Sequence, residues 1–376
     1  MPEIYVYLVV VFVAGLVILS YLTVNRKIDT VYQDDGSDVN PKQITTHSEP
    51  DVHLVDNTPS DLLVANAART SFNKWKDTYD EKDKRLINYL AKHHHISPFF
   101  HARFNIRVSQ VDHNLLKDRK HSMGAVVTEV DDSYLVGHSF YGWIDWIVND
   151  IIDGYNQVYV AKVLCKYMPD SFAAYDEMYG IVDKLTPYGL TLDNLDAVDV
   201  AVVPDHLKEY YIYYTVVTRV SIPVARQLYT HRLIDKNEMS RRYVTEDVTY
   251  YKPEIWRQKP EGSIKQGSSN VPVSYVDIDH PYFKDTDDIH EVYMKYLDIA
   301  DSVYNGFIDS GVAPEMARML LPLSMETKII HIGSYDSWML FKSKRVGDSS
   351  VQEETAEVAS KMIACIEEKW SKDNIK

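Results

Sequence analysis

The chain has 376 residues, 45% of them apolar and 25% charged, the balance of a globular protein that can bury a sizeable core. Its formal net charge of −15 argues against a nucleic-acid-binding surface spread over the molecule, while leaving room for one local basic pocket. Its only two cysteines, Cys165 and Cys365, make neither a disulfide framework nor a Cys-x-x-Cys metal site, which fits a reducing compartment.

From Ile4 to Val24 the chain is apolar and unbroken by charge. As a helix this run would span roughly 31 Å, about the thickness of a bilayer hydrocarbon core. Tyr5, Tyr7 and Tyr21 stand near its ends, and Arg26 and Lys27 follow it. The expectation is a single transmembrane anchor over residues 1–25, with the rest of the chain on the cytoplasmic side. Residues 26–55 are polar and acidic, carry Gly36, Pro41 and Pro50, and read as a linker. The globular domain then covers 56–376.

Asp61 to Phe72 opens that domain. Lys84 to His93 places Leu86, Ile87 and Leu90 at helical spacing, and Pro98 is expected to end the helix. His93, His94 and His95 suggest a metal site, but consecutive residues on a helix point in different directions and no second ligand pair stands at metal spacing. No metal is expected. His101 to Ser109 alternates like a strand, and Tyr141 to Tyr167 holds one or two packed helices. Gly137 to Gly142 is a near miss to a nucleophile elbow, its second glycine one place too far. Leu185 to Asp205 is acidic and reads as a surface excursion.

Val216 to Val224 is rich in Val, Thr and Ile, as a buried strand should be. It hands over to Ala225–Tyr243, where four arginines, a His, a Gln, an Asn, a Glu and a Ser fall in one short window. Arginine offers a rigid planar fork of donors suited to phosphate and flat polar rings. A structural salt-bridge network with Asp235, Glu238 and Glu246 is the plainer alternative. Further on, Lys252 to Pro272 reads as a loop. Asp288 to Asp309 is a helix with Val292, Tyr296, Ile299, Ala300, Val303 and Phe307 on one face. Gly311 ends it, Pro314 opens the next turn, and Thr355 to Trp370 forms a last helix.

The string His231-Arg232, seven residues, then Ser240-Arg241-Arg242 resembles the signature of the flavin-dependent thymidylate synthases, an Arg-His-Arg followed after seven residues by Ser-x-Arg. Val224-Ala225-Arg226-Gln227 ahead of it and Asn237-Glu238-Met239 within it match as well. So do an early Ala-Ala-Arg-x-Ser-Phe, a His-x-Ser-Pro-Phe at His95–Phe99, an Ala-Arg and Leu-Pro-Leu around Arg318, and Arg345 followed by Gln352-x-Glu354. The departures are Thr230 for the first signature arginine, Phe100 for a glutamate, Asp336 for an arginine and Leu340 for an Asn or His. The resemblance covers about residues 60–110 and 215–370, with an insertion at about 111–214 between them. That long insertion and the divergence suit a phage or viral version.

The resemblance implies an α/β fold of the α+β type, a twisted, mostly antiparallel sheet flanked by helices. It implies a homotetramer with shared active sites. It also implies reductive methylation of dUMP to dTMP, with methylenetetrahydrofolate as the one-carbon donor, FAD as cofactor and NADPH as reductant. Gln227, Ser240, Arg241, Arg242, Arg318 and Arg345 match the family's dUMP contacts, and Arg345 its catalytic arginine. His95, Ser97, Thr230, His231, Arg232, Asn237 and Glu238 match positions that hold FAD. The family needs no protein nucleophile and no Gly-x-Gly-x-x-Gly fold. The departures keep two rivals open: a catalytically impaired, membrane-tethered flavin- or nucleotide-binding protein, and a purely structural membrane-anchored oligomer.

Overall fold

The computed structural model describes residues 44–112, 114, 124–260, 268–347 and 350–374. The expected anchor lies outside them. Among the described residues no helix is long and apolar enough to cross a membrane.

The first elements are β1 (Thr45–His47) and β2 (Asp51–Val55), both inside the stretch expected to be linker. In β2, Val52 and Leu54 alternate with Asp51 and His53, and that apolar face packs onto the core. α1 (Asp61–Arg69) begins at Ser60, whose hydroxyl accepts from the Leu63 N–H at 3.2 Å. α2 (Glu81–Lys92) has a capping box built from Asp80 and Asp83. Buried Asp83 also meets Arg69 and, at 3.3 Å, Lys76, which ties the end of α1 to the start of α2. α2 stops at Lys92, ahead of Pro98, because His94 takes a left-handed φ of +55°. Pro98 instead opens a 3-10 turn over Ser97–Phe100.

β3 (Arg103–Val108), β4 (Val126–Val130) and β5 (Ser133–Ser139) make an antiparallel sheet in the order β3-β5-β4. α3 (Phe140–Val148), α4 (Gly154–Tyr167) and α5 (Pro169–Tyr179) follow. The near-elbow at Gly137–Gly142 is a strand-to-helix corner. Buried Ser139 accepts from the Gly142 N–H at 3.1 Å, and a Cβ on Gly142 would fall 2.0 Å from the His138 ring. Packing and capping account for both glycine and serine.

The main sheet has the order β2-β6-β11-β7, every neighbour antiparallel. Its strands β6 (Tyr213–Ser221) and β7 (Asp235–Glu238) are joined by α6 (Ile222–Tyr229). β8 (Thr249–Tyr251) pairs parallel with β1, and β9 (Trp256–Arg257) pairs with β10 (Pro272–Val273). α7 (Ile289–Asp309), β11 (Glu326–Ser334), α8 (Tyr335–Arg345) and α9 (Glu353–Asn374) complete the chain.

The expected class, a mixed fold with antiparallel sheets and helices, is what the chain forms. Where one sheet is expected, the described residues form four: two larger ones, each with its own helical cover, and the two-stranded β1-β8 and β9-β10 pairings. Trp143, Trp146 and Phe172 lie in the core of the β3-β5-β4 half, and Trp338 and Phe341 in that of the main sheet. The buried face of α7 includes Val292 and Ala300 of the expected stripe but is otherwise rotated from it. Leu297 and Tyr304 are fully buried, whereas Tyr296, Val303 and Phe307 are 43–45% exposed.

Gly142→Ala is expected to lower stability by about 1–3 kcal/mol, since the added methyl enters a filled corner. Gly306→Ala, on α7 with nothing within 4 Å of the new Cβ, should raise it by about 0.5–1 kcal/mol. Urea unfolding midpoints of the two variants against the parent check both signs.

Candidate functional site

An open cleft of ≈ 1270 Å³ lies where α6, α8 and the start of α9 meet the β8–β9 segment and α7. Gln227, Arg345 and Gln352 line it from the first group, and Tyr251, Trp256, Arg257 and Tyr293 from the second. Residues that the resemblance singles out, Gln227 on one side and Arg345 and Gln352 more than a hundred positions later, thus share one cavity. The Trp256 and Tyr293 rings meet edge to face at 5.1 Å.

Arg345 is the last residue of α8 and is half-buried. Its Nε donates to His231 Nε2 at 2.9 Å, and its Nη2 donates to Thr230 Oγ1 at 2.8 Å and to the Gln227 carbonyl at 3.3 Å. A guanidinium can only donate, so Nε2 of His231 is the acceptor and the ring proton sits on Nδ1. Burial, then the charges of Arg345 and Lys236, push the His231 pKa down to about 4, so the ring is neutral at pH 7. Phe341 holds the ring edge-on at 4.7 Å. Beneath it, Lys236 Nζ donates to the carbonyls of His231 (2.7 Å) and Ile234 (2.6 Å), and burial lowers its pKa to about 8. Among the described residues no carboxylate pairs with Arg345. Its hydrogen bonds among them go to three neutral acceptors, which fix its direction.

β7 splits the next set of residues between the two faces of the sheet, as strand alternation requires. Asn237 stands opposite Ile330 and is buried; its Nδ2 donates to Ser97 Oγ at 3.3 Å and its Oδ1 lies 3.3 Å from His101 Nε2. Burial pushes the His101 pKa down to about 4. Glu238 stands opposite Ile329, on the face that α6 covers. His95, Ser97 and Arg232 are exposed. Exposed Ser97, at the start of the 3-10 turn, thus meets the Asn237 amide, while Thr230 and His231 are engaged by Arg345.

The second half of the signature folds elsewhere. Ser240 N–H donates to the Ser71 carbonyl at 3.0 Å, and Phe72 stacks on Tyr243 at 4.7 Å, which joins the early Ala-Ala-Arg-x-Ser-Phe segment to the signature. Arg241 turns inward and is buried, with Nη1 donating to the carbonyls of Glu246 at 2.9 Å and Val244 at 3.4 Å. Its side chain cannot reach a ligand and serves the loop. Arg242 stays exposed, 3.4 Å from Glu315, and Arg318 Nε donates to the Glu315 carbonyl at 3.3 Å. These two arginines meet at Glu315 and are not among the residues lining the cleft of Arg345.

The cleft has members that sequence reasoning passed over. Arg257 meets Glu354 and, at 3.2 Å, Glu353. Burial alone would raise the Glu354 carboxyl, but its own backbone N–H, Arg257 and Gln352 outweigh burial and hold it below the usual carboxylate range. A Trp-Arg pair inside a segment read as a Pro, Gly and Ser loop was the available signal. Burial raises the pKa of both Cys165 and Cys365, so neither thiol is activated as a nucleophile.

A family model described as thymidylate synthase complementing protein matches residues 53–186 and 209–370, passing through most of the stretch set apart above as an insertion. The flavin-dependent thymidylate synthase of Aquifex aeolicus is 25% identical over 295 residues, 72% of this chain and 82% of that protein. That of Thermosipho melanesiensis is 30% identical over 161 residues, 42% of this chain and 65% of its own. Among solved structures, the UMP/dUMP methylase PolB of Streptomyces cacaoi bound with 5-Br UMP covers 88% of this chain and 92% of its own, at a TM-score of 0.36 and 19% identity. With the family model matching most of its length, the chain belongs to the flavin-dependent thymidylate synthase family.

Proposed function

We propose that the protein reductively methylates dUMP to dTMP, taking the one-carbon unit from methylenetetrahydrofolate and reducing equivalents from NADPH. The observation that carries this reading is Arg345, a half-buried cation held in the cleft, among the described residues, by neutral acceptors only. Moving a one-carbon unit onto C5 of uracil requires the ring to carry negative charge. A fixed guanidinium stabilises that charge without itself transferring a proton. His231, neutral and tautomerically fixed, orients it and adds no competing charge. The aromatic wall of Tyr251, Trp256 and Tyr293 gives flat rings an apolar surface and limits water.

FAD, when bound, supplies the hydride. His95, Ser97 and Arg232 would hold it from exposed positions, backed by Asn237; the exposed polar groups, and an Arg232 with no ion pair among the described residues, fit a long, polyanionic cofactor. Arg242 and Arg318 are the phosphate ligands of the proposal. Since they lie outside the cleft of their own chain, the sites would be shared in a homotetramer, with Arg242 and Arg318 of one copy closing the cleft of another. Residues 4–24 would anchor the assembly to a membrane, the catalytic domain facing the cytoplasm.

Purified protein should be yellow and should release tritium from 5-tritiated dUMP in the presence of NADPH and methylenetetrahydrofolate. Arg345→Ala should cut the rate at least ~100-fold with the flavin spectrum and melting temperature kept. Flavin or dUMP binding without release would favour an impaired binding protein, a reading that Thr230 and Asp336 in place of family arginines motivate. Full activity in Arg345→Ala would remove the assigned role.

Co-expressed Arg242→Ala and Arg345→Ala chains, each inactive alone, should regain part of the activity when they assemble together. No recovery from mixed oligomers of confirmed composition would end the shared-site proposal.

In fractionated cells the full chain should sediment with membranes and a chain lacking residues 1–43 should not. Equal partition of the two would discard the anchor.

A further inference from the structure

Gln352 has both ends of its amide committed. Its Oε1 accepts from Gln227 Nε2 at 2.7 Å, and its Nε2 donates to Glu354 Oε2 at 2.9 Å. An ionised carboxylate only accepts, whereas a glutamine amide can face a neighbour with either end. Glu354 therefore dictates which end of Gln352 faces it, and Gln352 dictates which end of Gln227 it meets. At the far end of this row, Gln227 is left with its Oε1 free of any hydrogen bond among the described residues, at the wall of the cleft.

The source of the polarity is itself well held. The Glu354 side chain is 14% exposed and pairs with Arg257 Nη2, while Arg257 Nη1 reaches Glu353 at 3.2 Å. Glu354 lies in the first turn of α9, where the helix dipole favours an anion. Arg257 is fixed in turn by the pairing of β9 with β10. A clamped carboxylate thus sits two hydrogen bonds away from an otherwise ambiguous amide.

We infer that Glu354, clamped by Arg257, is a positioning residue that turns the Gln227 amide oxygen toward the ligand, so that the cleft accepts only a hydrogen-bond donor at that point. The inference rests on the cleft being the nucleotide site proposed above. On a pyrimidine nucleotide the donors are a ring N–H or a sugar hydroxyl; the phosphate and the ring carbonyls are acceptors and are repelled there. Gln227 therefore reads the nucleoside part of the substrate, and the arginines read its phosphate.

The test is a double-mutant cycle on the full-length, flavin-loaded protein, with dUMP as the varied substrate. Glu354→Gln keeps the shape and removes the obligate acceptor. It should raise the KM for dUMP roughly tenfold while kcat falls less than about threefold, with flavin binding and melting temperature unchanged. Gln227→Ala should raise KM by a similar factor, and the double variant should be no worse than Gln227→Ala alone. Arg257→Gln, which loosens the clamp and leaves Glu354 in place, should shift KM in the same direction and guards against a poorly folding Glu354 variant. An unchanged KM in Glu354→Gln, or the same loss repeated in the Gln227→Ala background, overturns the inference. So does a loss of bound flavin or of melting temperature in both the Glu354 and Arg257 variants. Normal dUMP kinetics in Gln227→Ala refute the relay and leave the reaction assignment standing, whereas a parent protein that fails to bind dUMP sinks both.

Discussion

The pairing of β11 with β6 is the constraint from which the site follows. Nine consecutive residues, Glu326 to Ser334, face Ser221 to Tyr213 in unbroken antiparallel register, and β7 takes the other edge of β11. β6 ends where α6 begins, which places Gln227. β11 ends where α8 begins, which places Arg345 within reach of the turn after α6. A slip of one residue in this register would exchange the two faces of the strand and put Ile329 and His331 where Ile330 and Ile332 belong. Neither Arg345 nor His231 would then find the other. The cleft is assembled by the pairing of two strands, β6 and β11, that lie more than a hundred residues apart in the chain.

The same construction occurs in the other half of the molecule. β5 ends in Ser139 and β11 in Ser334; each serine takes an extended conformation and caps the helix that follows. Trp143 and Trp338, each four residues after its serine, send an indole N–H to a carbonyl of the neighbouring strand, Phe104 at 3.3 Å and Tyr214 at 3.2 Å. Phe104 pairs with His138 and Tyr214 with Gly333, so in both halves the carbonyl belongs to the residue opposite the one before the serine. Eleven residues after Ser334 stands Arg345, and eleven after Ser139 stands Asp150, bound to Lys184 at 2.7 Å. One half uses the corner to aim a cation into a cleft. The other places there an acid that makes a surface ion pair.

Much of this was legible in the sequence, because spacing reports backbone. The order of strand, helix and polar turn around Gln227–Glu238 follows from hydrophobic runs and from the signature. What spacing could not separate were neighbours of the same chemical type. Arg241 and Arg242 are alike on paper, yet one is buried among the carbonyls of a loop and the other is exposed. The loop closes on Arg241 because Asp247 adopts a φ of +50°, which no pattern of residue types announces. α7 was misjudged for a related reason. A count of apolar residues favours the stripe through Tyr296, Val303 and Phe307. Two polar contacts turn the helix away from it: Tyr304 Oη donates to the Thr245 carbonyl at 3.2 Å, and Tyr250 Oη to Asp301 at 3.1 Å. Thr245 lies in the segment whose carbonyls enclose Arg241, and Tyr250 stands in β8 just after it.

How the arginines are partnered separates those that build the fold from those that face a ligand. Arg69 and Arg103 are well buried and each meets a carboxylate, Asp83 and Asp235, as a cation removed from water must. Arg257 is spent in the same way on Glu353 and Glu354. Arg242 and Glu315 are more than half exposed, and a surface pair of that kind is worth about 0–1 kcal/mol, little enough for a doubly charged phosphate to displace. Arg345 differs from both groups. Its three hydrogen bonds fix direction without neutralising charge, and the residue it leans on is kept uncharged by burial and by the arginine itself. Among the described residues no carboxylate pairs with it, and removing a cation from bulk water without an anion costs free energy. A cation held in direction by these neutral acceptors is suited to meet an anion at the open side of the cleft.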